Sequence, residues 1–525
     1  MSVAVQTSRT TVWAFWMWAL LFACLAWGHY GLAPVTDFVG DDWAFLGSAL
    51  HPAQPLKATA FETLHDYYRP LNNLAIRLSF GWLGDRPWAF SLLGLALHGV
   101  ILAVYLNLLW TLSIERKVLW IGGLLYAFSP VLYDEFYWHH VVLLYYPIAM
   151  LGAFLLWVDW VKTGKGWWKV PLSWLTYLAG LASYENCVPL ALVFPVSAWL
   201  LSPERRWKWS LVHLGLAALY VTYRFTHGFG VGIPAIAAAY YSEGEGLSLS
   251  GMVQNIRTMA SWWCGGMMAK SFLGGFNAFA TLLPKWQATF VAGSLVLLGV
   301  LRMAMRGIGN APVPETAGDR SRAWKNLFIG LFWMMLAYSP HLLFPVCSRH
   351  NLLPIFGAGI ALGSVWTLRP SRTPAWVWCA LGLLCLIANA GNALAWRDAG
   401  TFSRRICRHL EATKEQWMEK QLVLFDTLAL RERQTSGILR ARNDSAATWA
   451  EYQNAILLRG FVGNGMLKMC TPNPPQGIQD TEHGARIENG ILYWHDRYNP
   501  DVPHQTSMKD VYKVDCLAVA IQGGP

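Results

Sequence analysis

Long apolar runs recur along residues 1–396, at about 12–34, 88–112, 118–133, 141–161, 171–184, 187–202, 209–226, 286–302, 326–346, 350–368 and 374–396. A helix that crosses a hydrocarbon core of about 30 Å needs roughly 20 apolar residues. The pattern therefore predicts about eleven spans, two of them short. Beyond residue 396 the texture changes: no 20-residue apolar run remains, and 15 of the chain's 31 acidic residues lie there. The predicted fold is an α-helical polytopic membrane domain at 1–396 followed by a small soluble α+β domain at 397–525. In that second domain 398–420 reads as an amphipathic helix, while QLVLF (421–425), GILYW (490–494) and CLAVAI (516–521) read as short strands between Pro- and Gly-rich turns.

Two intervening segments, 35–87 and 227–285, are too long to be simple connectors. DDWAFLGSAL and RPLNNLAIRLSFGWL in the first repeat apolar residues three and four apart, which predicts helices lying at a membrane interface. The second carries Trp262, Trp263, Met267 and Met268 and reads either as an interfacial helix or as the wall of a groove for a lipid tail. Segment 303–325 is rich in Gly, Pro and charge and reads as a hinge between two helix groups.

Composition strengthens the membrane assignment. The chain is 54% hydrophobic and only 14% charged, with 30 Trp and a mean hydropathy of +0.31, far from the charge content of a soluble globular protein. The net charge of +10 invites a nucleic-acid reading, but the positive-inside rule accounts for where the basic residues fall. With a cytoplasmic N-terminus, the short inner loops hold Arg116, Lys117, Lys162, Lys165, Lys169, Arg205, Arg206, Lys208, Arg302, Arg306, Arg320, Arg322, Lys325, Arg369 and Arg372, whereas the much longer outer loops hold few. The chain is thus expected to be a multi-pass plasma-membrane protein, in bacterial terms an inner-membrane one, with its C-terminal domain outside the cytoplasm and no nucleic-acid partner. The first run is too long for a signal peptide and lacks a small-residue cleavage site, so it is expected to stay in place.

Most of the nine cysteines lie in or beside spans, where Cys behaves as a small apolar residue, and none has zinc-type spacing. Cys407, Cys470 and Cys516 fall in the outer domain, where one disulfide is expected, with Cys470–Cys516 the pairing chosen.

Candidate chemistry lies in the outer loops. Asp41 and Asp42 follow the first span, and carboxylates beside a bilayer are costly unless they act or are paired. A partly desolvated carboxylate can take a proton from an incoming hydroxyl. Adjacent helical residues point about 100° apart, so one aspartate would act while the other orients it. The plainer alternative is helix N-capping by GDDW. In Tyr68-Arg69-Pro70-Leu71 the proline fixes the backbone beside Arg69, and a held guanidinium grips a phosphate with two hydrogen bonds; lipid headgroups or Asp66 are its other natural partners. YDEFYWHH sets Asp134, Glu135, His139 and His140 at the mouth of the membrane region. They suit substrate hydrogen bonding, interface packing or a divalent ion. Glu185 lies in a tight outer turn, and Arg349-His350 open a late span on the same side. Arg349 is a second phosphate candidate, with snorkelling to the interface as its plain alternative. The C-terminal domain carries no catalytic motif.

Taken in order along residues 12–396, these motifs resemble the GT-C superfamily of membrane glycosyltransferases, which includes protein O-mannosyltransferases and the aminoarabinose transferases of lipid A. The resemblance rests on Asp41-Asp42, the YRPL turn from Tyr68 to Leu71, Asp134-Glu135, Glu185 in SYEN, and RHNLLP from Arg349 to Pro354. It implies an inverting transfer of a sugar from a polyprenyl-phosphate donor to an extracytoplasmic lipid, glycan or protein, with membrane lipids as further partners. It also implies Asp41 or Asp42 as base, Arg69 and Arg349 with Tyr68 and His350 about the leaving phosphate, and Asp134, Glu135, His139, His140 and Glu185 about the substrate. Arginines can steady a monophosphate alone, so no essential metal is expected, a divalent cation being the alternative. Two rival functions remain open: a glycan polymerase or ligase using lipid-pyrophosphate oligosaccharides, and a lipid or sugar transporter. The first usually relies on large outer loops rich in Arg and His. The second tends to carry charged or broken helices at the bilayer midplane.

Overall fold

The structure, a computed structural model, describes residues 2–39, 41–50, 69–112, 116–139, 145–202, 206–226, 249–306, 317–342, 348–368, 375–426, 466–471, 477–480, 486–496 and 499–521. It is predominantly helical. The helices are α1 (Ser2–Tyr30), α2 (Asp41–Leu50), α3 (Pro70–Leu83), α4 (Pro87–Thr111), α5 (Arg116–Phe128), α6 (Tyr133–Tyr137), α7 (Tyr145–Thr163), α8 (Lys169–Ser183), α9 (Val193–Leu201) and α10 (Leu211–Thr226). They continue with α11 (Leu249–Cys264), α12 (Gly266–Ala280), α13 (Pro284–Arg306), α14 (Ala317–Tyr338), α15 (Leu352–Leu368), α16 (Ala375–Ala412), α17 (Lys414–Met418) and α18 (Cys516–Ile521). Among the described residues, each apolar run read from the sequence contains an α-helix, with those at 118–133 and 187–202 interrupted by short 3-10 turns. Among the described residues, Pro87–Thr111, Pro284–Met305 and Trp376–Ala412 are long and apolar enough to cross a membrane.

Side-chain hydrogen bonds tie residues predicted for one side to others predicted for the same side. Near the inner loops, Lys162 donates to the Thr111 carbonyl at 2.5 Å, Arg206 to that of Trp160 at 3.1 Å, and Asn326 to that of Leu112 at 3.1 Å. At the opposite end, Asn255 donates to the Leu342 carbonyl at 3.0 Å.

The described part of the second long segment, residues 249–285, packs into the bundle more deeply than an interfacial connector would. Trp262 is buried, Trp263 donates to the Tyr338 hydroxyl at 2.6 Å, and Met267 and Met268 pack against the core. Helix α12 crosses α16 with Gly275 against Ala388 and Gly391 against the Gly275 carbonyl, so close that a Cβ on either glycine would collide with backbone. Small residues at such crossings let helices approach closely where lipid removes the hydrophobic drive between them. Gly391→Val is expected to lower the melting midpoint of the detergent-solubilised protein, the overpacking costing about 1–3 kcal/mol. An unchanged midpoint would show that the α12–α16 crossing is not a tight one.

The C-terminal region departs from expectation in two places. First, α16 has no break at 396/397 but runs on to Ala412. At 1.5 Å per residue it is about 57 Å long, roughly twice a hydrocarbon core. The hydropathy change marks where the helix leaves the apolar region, not where it ends: the stretch from Arg397 to Ala412 is amphipathic and contains no proline to stop it. Secondly, CLAVAI is helix α18 and not a strand. A short apolar run lacks the length to distinguish the two periods, and Asp515 caps this one by accepting from the Ala518 amide at 2.9 Å.

The other two predicted strands form. β1 (Leu422–Asp426) lies between β2 (Gly477–Asp480) and β6 (Val511–Asp515), parallel to both. β4 (Ile491–Asp496) pairs antiparallel with β3 (Arg486–Glu488) and β5 (Asn499–Ser507) in a second sheet. Cys516 is buried and its thiol points to the Val514 carbonyl, and no disulfide joins it to Cys470; Cys470 instead meets Cys407.

Candidate functional site

Two predicted outer loops are joined through Asp42. Its side chain is fully buried at the start of α2, and Oδ2 accepts the backbone amides of Val39 at 3.2 Å and His139 at 3.3 Å. A buried carboxylate without donors would cost several kcal/mol; two amides supply them. Neighbouring bonds strengthen the seam: the Trp138 indole donates to the Val39 carbonyl at 3.0 Å, and His139 Nε2 to that of Thr36 at 2.8 Å. Neither of these amides belongs to α2, so the two bonds join separate loops and are not the helix capping of the plainer reading. Asp41 is the first residue of α2; its side chain, with those of Asp134 and Arg349, and the whole of Tyr68 and His140 lie outside the described residues.

Arg69 precedes α3, whose first residue is Pro70. Its guanidinium forks onto Glu185, Nε to Oε2 at 2.7 Å and the terminal nitrogen to Oε1 at 2.5 Å. It also lies 4.3 Å from the centre of the Tyr184 ring. Arg224, in the last turn of α10, reaches the same carboxylate at 3.8 Å. Burial favours the neutral acid, but the charges of Arg69 and Arg224 and the hydrogen bonds from Arg69 outweigh it and hold Glu185 at about 2. Glu185 therefore stays ionised, and two guanidiniums share one carboxylate.

The cluster extends on both sides. The Tyr184 ring meets that of Tyr146 at 4.7 Å, and Tyr146 lies within electrostatic reach of Glu135 and Arg69. Asn186, next to Glu185, donates to His341 Nε2 at 3.0 Å, and the His341 ring stacks on His350 at 3.9 Å. His350 lies in the turn Ser348–Asn351, which packs on α6 and on the turn Pro130–Leu132 before it. Asn351 in turn accepts from the Tyr338 hydroxyl. Beneath, Phe136 is sandwiched between the rings of His29 at 3.6 Å and His98 at 3.9 Å, while His98 Nε2 donates to the Glu135 carbonyl at 3.1 Å. These stacks fix the short helix that carries Glu135.

The structure thus gathers Asp42, Arg69, Glu135, His139, Glu185 and His350 at one end of the bundle. Arg69 and Glu185, each expected to face a ligand, bond to each other. Sequence reading did not single out Arg224, Asn186, His341 or Tyr146. A signal existed for Arg224, an arginine at the end of an apolar run on the side where the sequence predicts few basic residues. His29 and His98 carried one too, as polar residues inside apolar runs. Among the described residues no group of three or more His, Cys, Asp or Glu is placed to hold a metal ion; Asp134 and His140, on which a divalent-ion reading would draw, fall outside that description.

A second polar constellation lies beside the first outer loop. Arg404 of α16 forks onto Asp37, with contacts of 2.6 to 3.1 Å, and reaches both oxygens of Asp85 at 2.6 Å. Its guanidinium also covers the Trp43 ring at 4.8 Å. Burial disfavours the cation, but the two carboxylates prevail and raise its pKa. This clamp fixes the projecting end of α16 against the loop that carries Asp41 and Asp42.

No model of a known protein family matches the chain, and no curated protein does.

Proposed function

We propose that the chain is a polytopic membrane glycosyltransferase of the GT-C type, moving a single sugar from a polyprenyl-phosphate donor to an extracytoplasmic lipid, glycan or protein. The observation that carries this reading is the Arg69–Glu185–Arg224 cluster, two guanidiniums held about one carboxylate, gathered with Glu135 and His350 at the end of the bundle assigned to the outer side. A phosphate leaving group requires cations where its charge develops, held in a site that does not have to reorganise. A guanidinium locked by a carboxylate and an aromatic face is preorganised in that sense, and the turn that carries Arg349 and His350 packs on α6 nearby.

On this reading the two aspartates divide the labour. Asp42, engaged by two amides, orients the start of α2 and fastens it to the loop after α6. Asp41, about 100° around the helix, is assigned as the base that takes the acceptor proton. Alignment of acceptor, anomeric carbon and leaving phosphate supplies much of the rate. The eleven apolar runs are read as spans, with the N-terminus cytoplasmic and the C-terminal domain outside.

The leaving group distinguishes this reading from a polymerase or ligase. Cells lacking the protein are expected to accumulate a single sugar on polyprenyl monophosphate, measured by mass spectrometry of extracted lipids. Accumulation of an oligosaccharide on pyrophosphate would favour the polymerase or ligase instead.

A further inference from the structure

Arg404, Cys407, Arg408 and Glu411 are spaced by three and four residues along α16 and so share one helical face. With Asp37, Asp85, Met469 and Cys470 they line a cavity of about 420 Å³ between α16, the first outer loop and the helical turn at 466–470. Cys407 and Cys470 both line its wall, close enough for each to shift the other's titration. Both are free thiols; Cys407 is buried and Cys470 is partly exposed to the cavity. The surrounding backbone is held in place: Lys414 donates to the Cys470 carbonyl at 2.7 Å, and the Cys470 thiol lies 3.5 Å from the Met466 carbonyl.

We propose that Cys407 and Cys470 form a disulfide that fastens the 466–471 segment to the projecting end of α16. The proposal rests on the reading that this end lies outside the cytoplasm, where disulfides form and persist. The oxidant is an external disulfide, that of a thiol–disulfide oxidoreductase or of oxidised glutathione. Cys470, deprotonated, attacks one sulfur of that disulfide; a mixed disulfide forms and the other sulfur leaves as a thiolate. Cys407 then loses its proton and attacks the Cys470 sulfur, expelling the second thiolate. The protein loses two electrons and two protons, and the external disulfide is reduced to two thiols.

The site favours this order. Cys407 beside it lowers the pKa of Cys470; burial and the Glu411 carboxylate oppose this and the Lys414 ammonium adds to it, so the shift is downward, whereas Cys407, more deeply buried, is shifted up. The partly exposed thiol is therefore the nucleophile, and the buried one resolves. Once closed, the link lies one turn from the Arg404 clamp, so the C-terminal domain and the first outer loop are both fixed to the same stretch of α16.

The test uses full-length protein in native membranes, with thiols trapped by acid and alkylated with N-ethylmaleimide before solubilisation and peptide mapping without reductant. A peptide pair joining Cys407 to Cys470, lighter by two hydrogens and unalkylated, is expected. It disappears in Cys470→Ser, where Cys407 becomes alkylated. Alkylation of both cysteines in the trapped wild-type protein, or linkage of Cys470 to Cys516, would overturn the proposal. A Glu419→Cys substitution in a Cys407→Ser/Cys470→Ser background, probed on intact cells with a membrane-impermeant maleimide and read by mass at position 419, reports the side independently. Unlinked cysteines with an outward-labelled position 419 overturn the disulfide alone; unlinked cysteines with a protected position 419 overturn the topology as well.

Discussion

Asp41→Asn is expected to reduce sugar transfer by about a hundred- to ten-thousand-fold, the range that a positioned general base contributes, while leaving the melting midpoint of the purified protein close to wild type. Asp42→Asn is expected to behave in the reverse sense. Its carboxylate is buried and accepts the Val39 and His139 amides on one oxygen; an amide oxygen in its place can accept both, but without the negative charge that strengthens them. Weakening charge-assisted bonds of this kind costs about 1–3 kcal/mol, seen as a lower melting midpoint, with activity falling in step with the folded fraction. Wild-type transfer by Asp41→Asn would remove it as the base. Transfer lost in Asp42→Asn with an intact midpoint would return the role to Asp42.

Arg69→Ala carries the second large effect. It removes the fork onto Glu185 and leaves that carboxylate with Arg224 at 3.8 Å. Removing one partner of a buried ion pair costs about 3–5 kcal/mol, and the lower end applies because both side chains retain some exposure, 16% and 23%. The double variant Arg69→Ala/Glu185→Gln separates structure from function. Neutralising Glu185 relieves the uncompensated charge, so the melting midpoint is expected to recover in large part. Transfer is expected to stay low, since the forked cation proposed to face the leaving phosphate is gone. Recovery of both together, measured by thermal melting and by transfer from the donor lipid, would confine Arg69 to the fold.

The helices were legible in the sequence because a run of about 20 apolar residues is too long for a strand and too greasy for a loop. The two helices of the first outer loop were legible for a related reason: their apolar residues repeat at helical spacing, and α2 and α3 form there. Where the periodic signal was short, it failed. The six residues of CLAVAI fit a strand as well as a helix, and tertiary context made them helical. The apolar run ending at 396 and the amphipathic helix read from 398 are one continuous helix, α16, because hydropathy reports the solvent around a helix and not its continuity.

At the candidate site the sequence exposed residue types and their side of the bundle, but not their partners. Arg69 and Glu185 are 116 residues apart, and no local pattern reveals that a guanidinium expected to meet a phosphate will meet a carboxylate first. The same holds for Asp42, whose donors include an amide from a separate loop, and for Cys470, whose neighbour is Cys407 and not the expected Cys516. Arg404 was read only as one residue of an amphipathic helix; its two aspartate partners lie 367 and 319 residues away.

On the proposed function, this chain transfers one sugar from a polyprenyl monophosphate. The most direct measurement supplies purified protein in detergent with a defined single-sugar polyprenyl-phosphate donor and a membrane-lipid and glycan extract as acceptor, without any gradient. Wild-type protein is predicted to release polyprenyl monophosphate in step with a glycosylated, anomerically inverted product, and Asp41→Asn is predicted to release none above background. Donor left intact by folded wild-type protein, across donors and acceptors drawn from the native membrane, would exclude transfer from a polyprenyl monophosphate.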